Sequence, residues 1–106
     1  MERLEKIQGL LASQPQDTFL NYALAQEWQS RENYDQAILQ YQKLKDLAPE
    51  YVGLYYHLAD CLIKKGRESE AMSIYDEGMT VARNQGDQHA LSELQNARTN
   101  LEMGLI

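Results

Sequence analysis

The chain has 106 residues, 43% hydrophobic and 25% charged, as expected for one globular domain. Its formal net charge of −6 repels phosphate backbones and anionic lipid headgroups, and the basic residues are scattered singly or as the pair Lys64-Lys65, which argues against nucleic-acid and membrane partners. The lone cysteine, Cys61, excludes an intramolecular disulfide; with no apolar leader-like run at the start and no apolar stretch of roughly 20 residues, a cytoplasmic protein is expected.

Residues 1–14 predict a first helix with Leu4, Ile7, Leu10 and Leu11 on one face. Asp17 is a candidate N-cap for a second helix carrying Leu20, Leu24, Ala25 and Trp28 near one face. Arg31-Glu32-Asn33 forms a turn, in which Asn33 tolerates the left-handed conformation that helix ends often need. Tyr34, Ala37, Ile38, Tyr41 and Leu44 then repeat at helical spacing, until Ala48-Pro49 stops that helix, because a residue before proline avoids the α region. Leu54, Tyr55, Leu58, Ala59 and Leu62 make the next stripe, ended by Gly66. Ala71, Ile74, Tyr75, Gly78 and Ala82 make a fifth, ended at Gln85-Gly86-Asp87. A last helix over residues 87–103 carries Ala90, Leu91, Leu94, Ala97 and Leu101.

These stripes recur. Leu24-Ala25 returns as Leu58-Ala59, Ala37 as Ala71 and Tyr41 as Tyr75, each 34 residues on. Trp28 is matched by Leu62 and Ile38 by Met72, apolar for apolar. The period and the slots resemble the tetratricopeptide repeat family, in the small stand-alone form met in bacteria. The first copy, residues 17–50, reads Asn21-x-x-Leu24-Ala25-x-x-Trp28, Ala37-x-x-x-Tyr41 and Pro49. The second, residues 51–84, reads Tyr55-x-x-Leu58-Ala59-x-x-Leu62 and Ala71-x-x-x-Tyr75. Two slots depart: Asn21 stands where an aromatic is usual, weakening its contacts, and Arg83 stands where the closing proline would be. Residues 1–14 fit a degenerate half-repeat, with Arg3 in an alanine slot, and residues 87–103 a capping helix in shifted register with His89, Ser92, Glu93 and Asn96 outward.

The resemblance implies an all-α fold, a right-handed superhelical array of about six helices in antiparallel pairs. Stacking buries the apolar face that no pair can bury alone, and Ala25, Ala37, Ala59 and Ala71 mark close helix approaches. The first helix of each pair then lines a concave groove. Carried over slot by slot, that lining is Phe19, Tyr22, Gln26 and Gln29, followed by Tyr56, Asp60 and Ile63, with Tyr22 and Tyr56 forming a ladder one repeat apart. Chaperone-binding relatives clamp a C-terminal carboxylate with Lys and Asn on these helices. Tyr22, Gln26 and His57 stand in those slots here, so the cationic part of the clamp is missing and capture of an acidic chaperone tail is not expected.

Catalytic and metal chemistry find no footing in the sequence. His57 and His89 lie far apart and, with one cysteine, give no metal-site spacing, so both are read as surface or turn residues. Asp60 beside Cys61 raises a thiol pKa, so Cys61 is read as a small semi-buried residue and not a nucleophile. Glu68 with Glu70, and Asp76 with Glu77, are two and one apart and share no helix face. Met72, Met79 and Met103 read as core filler. No Gly-rich phosphate loop or cofactor motif is present. The expected function is a non-catalytic scaffold or adaptor that holds a peptide or protein segment in the groove, without cofactor or metal. The alternative is a homodimer or larger self-assembly formed through exposed terminal helices, with Leu4, Ile7 and Leu11 of the first helix as the pairing face.

Overall fold

The computed structural model describes residues 2–105, and those residues form six α-helices and no strand: α1 (Arg3–Ser13), α2 (Thr18–Ser30), α3 (Tyr34–Leu47), α4 (Gly53–Lys64), α5 (Glu68–Gln85) and α6 (Gln88–Glu102). Each helix packs chiefly on its neighbours in the chain, which makes an all-α helical-repeat solenoid, 42 Å in its longest dimension and 19 Å in its shortest.

Local chemistry sets the helix ends. Asp17 caps α2 by accepting from the Leu20 amide at 2.8 Å, and Asp87 caps α6 by accepting from Ala90 at 3.0 Å. Asn33, expected to take the left-handed conformation, is instead the N-cap of α3 and accepts from the Gln36 amide. Glu32 takes the positive φ, 59°, in the position that Gly66 holds at 74° one repeat later. The two turns are otherwise alike: the Asn33 amide donates to the Trp28 carbonyl, and the Arg67 amide to Leu62. Ala48-Pro49 ends α3 at Leu47, whereas Arg83 in the second proline slot lets α5 run on to Gln85, where left-handed Gly86 closes it.

The core is built from the repeated slots. Ala25, Ala37, Ala59 and Ala71 are fully buried, as are Tyr41, Leu44, Leu54 and Leu58. α6 contributes Leu94, Ala97 and Leu101 and turns His89, Ser92, Glu93 and Asn96 outward. α1 attaches through a smaller cluster of Ile7, Ala23 and Leu24, with Leu4, Leu11 and the Trp28 ring against it. Trp28 also touches the main core, so it joins the two clusters. Leu4, Ile7 and Leu11 of α1, the face named for the alternative of self-assembly, pack on α2 in the single chain. Leu10, expected on that face, is exposed, and so is Met103, which lies past the end of α6 and fills no core gap.

Asn21 is no weak point. It is fully buried, its amide donates to the Pro15 and Asp17 carbonyls, and its oxygen accepts from Gln40 at 2.7 Å. Tyr55, its counterpart 34 residues on, donates its hydroxyl to the Pro49 carbonyl. Pro15 and Pro49 are themselves 34 apart, so two unlike side chains satisfy the same carbonyl in successive turns. The size difference is matched opposite. A Cβ on Gly78 would lie 2.6 Å from the Tyr55 Cβ, so the large Tyr55 stands against a glycine, whereas the residue 34 positions before Gly78 is the buried Leu44.

Candidate functional site

α2 and α4, the first helices of their pairs, meet side by side through polar and aromatic side chains. The Tyr41 hydroxyl, reaching in from α3, donates to Gln29 Oε1 at 2.6 Å, and Gln29 Nε2 donates to Asp60 Oδ2 at 3.3 Å. Burial pushes the Tyr41 phenol well above its ordinary pKa, so it stays a proton donor at neutral pH. That donor fixes the orientation of the Gln29 amide, which in turn fixes one oxygen of the half-buried Asp60 carboxylate.

Beside this chain of donors lies an aromatic cluster. The Tyr22 ring meets Tyr51 at 4.9 Å and packs edge-on against Tyr41 and His57. His57 stacks on Tyr41, with planes 6° apart, and meets Tyr56 edge-on. Tyr22 and Tyr56 thus connect through His57. Burial lowers the His57 pKa, against smaller opposing effects of Asp60 and Glu93, so the ring is neutral at pH 7. Burial, then Tyr51, raises the Tyr22 pKa.

The seven residues expected to line a groove fall into three groups. Tyr22, Gln29 and Asp60 are held in the network just described. Gln26 and Tyr56 are exposed, and Ile63 is half-buried against the core. Phe19 stands apart, 69% exposed, in a cleft shared with α1. Sequence reasoning missed Tyr51 and His57. His57 was read as a surface or turn residue, but it sits half-buried among tyrosines, because its slot faces back toward α2 and α3. The available signal was aromatic density, since Tyr51, Tyr55, Tyr56 and His57 fall within seven residues.

The remaining titratable groups weighed for chemistry in the sequence lie away from this cluster, are paired or are buried. Cys61 is fully buried, more deeply than expected, and burial with Asp60 beside it pushes the thiol up to about 12. Glu70 pairs with Arg67, Asp76 with Arg98 and Glu77 with Lys45. His89 lies against Glu93 on the surface of α6. Among the described residues no three His, Cys, Asp or Glu side chains converge as a metal site would need, and no helix is long and apolar enough to cross a membrane.

The fold has close structural counterparts. A tetratricopeptide repeat domain protein from Salinibacter ruber, solved by solution NMR, is 41% identical over 83% of this chain and 89% of that one, with a TM-score of 0.78. Protein BPP2914 from Bordetella parapertussis superposes with a TM-score of 0.87 at 23% identity, covering 98% of this chain and 90% of that one. The type III secretion translocator chaperone SycD from Yersinia enterocolitica superposes with a TM-score of 0.88 at 20% identity, covering 95% of this chain and 70% of its own, a likeness of fold alone. None of the curated proteins matches the sequence. The family model of the tetratricopeptide repeat matches residues 29–97, most of the chain. With the 34-residue slots, the paired helices and the Salinibacter likeness in agreement, the chain belongs to the tetratricopeptide repeat family.

Proposed function

We propose that the chain is a non-catalytic protein-interaction module that holds an extended or helical segment of a partner protein along the α2–α4 face. The observation that carries this reading is the division of labour on that face. Tyr41, Gln29 and His57 fix the geometry from below, and the side chains above them, Gln26, Tyr56 and Asp60, have contact area or hydrogen-bonding capacity left over. A tyrosine offers large area at low entropic cost plus a hydroxyl, and an amide and a carboxylate supply orientation. Asp60 selects for donors or a basic side chain in the segment and against an acidic terminus.

Selection of a displayed peptide library on the purified chain tests this. Selected peptides should bind the wild type and lose affinity at least about tenfold with Gln26→Ala plus Tyr56→Ala, both exposed positions, with the circular dichroism spectrum of the variant unchanged. Tyr22 is a poor probe, since its ring supports Tyr41, Tyr51 and His57. Peptides that bind the double variant as tightly as the wild type would place recognition elsewhere.

A further inference from the structure

An apolar cleft without a partner among the described residues lies away from the α2–α4 face. α1 and the start of α2 enclose about 490 Å³ between Arg3, Lys6, Ile7, Leu10, Phe19 and Ala23. Phe19 is 69% exposed and Leu10 50%, the former among the most exposed large apolar side chains of the molecule.

The repeat itself shows what such a cleft holds. The residues 34 positions on from Lys6, Ile7, Phe19 and Ala23 are Gln40, Tyr41, Gly53 and His57. Those residues receive the helix α2. The Tyr22 ring packs on Tyr41 and His57, and its hydroxyl lies 3.7 Å from where a Cβ on Gly53 would stand. Asn21 accepts a hydrogen bond from Gln40. The cleft beside α1 corresponds to that seat one repeat earlier, with no helix in it and with the exposed Phe19 side chain where Gly53 has none.

Two substitutions along the period make the earlier seat cationic. Lys6 replaces Gln40 and Arg3 replaces Ala37. Arg3 reaches Glu27 at 3.4 Å with its side chain 67% exposed, and Lys6 has no carboxylate within ion-pair distance among the described residues. With Arg3 taken up by Glu27 and no carboxylate in the cleft lining, Lys6 marks this cleft as the place for an acidic group of a ligand. A second copy does not fit the chemistry, because two such clefts face to face would set Lys6 and Arg3 of one against those of the other. We infer that the cleft docks an amphipathic α-helix from another protein, with a large apolar side chain against Ile7, Phe19 and Ala23 and a carboxylate against Lys6. This inference does not depend on the use of the α2–α4 face.

The helix that fills the later seat supplies the probe. A fluorescein-labelled peptide with the α2 sequence, residues 17–30, carries Asn21→Asp so that a carboxylate meets Lys6. A lactam bridge replaces Phe19 and Ala23, which point away from the seat, and holds the short peptide helical. Fluorescence anisotropy should show saturable binding to the intact chain. Lys6→Glu and Phe19→Ala, both at exposed side chains, should each weaken it at least about tenfold with the circular dichroism spectrum unchanged. A peptide with Asn21→Lys should recover affinity for the Lys6→Glu protein, and Tyr56→Ala should have no effect. Absence of saturable binding, equal affinity for Lys6→Glu, or loss with Tyr56→Ala would overturn the proposal. A dimer in light scattering that Phe19→Ala dissolves would overturn it too, by making a second copy the occupant.

Discussion

Glu32 adopts a backbone conformation for which it has no chemical advantage. Its φ of 59° puts an L side chain in the left-handed region, at a cost of roughly 1–2 kcal/mol, and its exposed side chain makes no hydrogen bond to the described residues in return. Gly66 fills the same place one repeat later without that strain. Glu32→Gly is therefore expected to stabilise the protein by about 0.5–1 kcal/mol, the relief of strain exceeding the extra freedom glycine gives the unfolded chain. Urea denaturation read by circular dichroism checks it through a higher midpoint at unchanged slope. His57 gives the opposite kind of signature, one that appears only with pH. Burial among Tyr22, Tyr41 and Tyr56 lowers its folded pKa below the ordinary 6.5, so the unfolded chain binds the proton more readily. Its contribution is complete above about pH 6.5 and is lost as the pH falls from there through the folded value. Denaturation midpoints of wild type should fall more steeply from pH 7 to pH 5 than those of His57→Gln. Equal slopes for wild type and His57→Gln would show that His57 is not desolvated in solution.

Helix contacts in this fold are matched in size, and the same chemical change has opposite consequences on two helices. On α5, Gly78 faces Tyr55 so closely that an added Cβ would sit 2.6 Å from Tyr55 Cβ and 3.1 Å from Leu94 Cδ1. The first of those atoms is anchored to the α4 backbone and cannot swing away, so Gly78→Ala should cost about 1–3 kcal/mol despite the better helix propensity of alanine. On α1, Gly9 is exposed and has nothing within 4 Å of the added atom, so Gly9→Ala should gain roughly 0.5–1 kcal/mol. Thermal melts of the two variants against wild type measure both signs at once. This matching explains which features the sequence disclosed. The helices, their order and the alanine slots were legible because every internal repeat meets the same neighbours, and equal environments leave equal residues 34 positions apart. The approach of Tyr55 to Gly78 was not, since Asn21 and Leu44 stand at the positions 34 residues earlier and neither keeps the pattern. Glu32 was missed for a related reason: the turn needs a positive φ at one position, and the residue there carries no mark of it. On the candidate face, Tyr22, Gln29 and Asp60 emerged from their slots, whereas the place of His57 depends on how α4 turns toward α2 and α3, which spacing along one helix does not specify.

At the scale of the whole molecule, stability in a stacked array is a sum over neighbours, so each helix is as secure as the interfaces that hold it. α3, α4 and α5 each lie between two others and share one continuous core from Ala25 to Leu101. α1 packs chiefly on one neighbour, α2, through a separate cluster in which only Ile7, Ala23 and Leu24 are buried. Its N-terminus has no side-chain cap, and its outer face borders the cleft that exposes Leu10 and Phe19. Such an element opens locally at a fraction of the global unfolding free energy. Native-state hydrogen exchange followed by NMR should thus rank the amides in order: α1 least protected, α6 intermediate, and the buried turns of α3 to α5 exchanging only with global unfolding. Ile7→Ala should sharpen the contrast, abolishing protection in α1 and leaving α4 and α5 as slow as before, because no residue of the Ile7 cluster lies on those helices. Uniform protection from α1 to α6 would mean that Trp28, which packs against both clusters, couples them into a single cooperative unit.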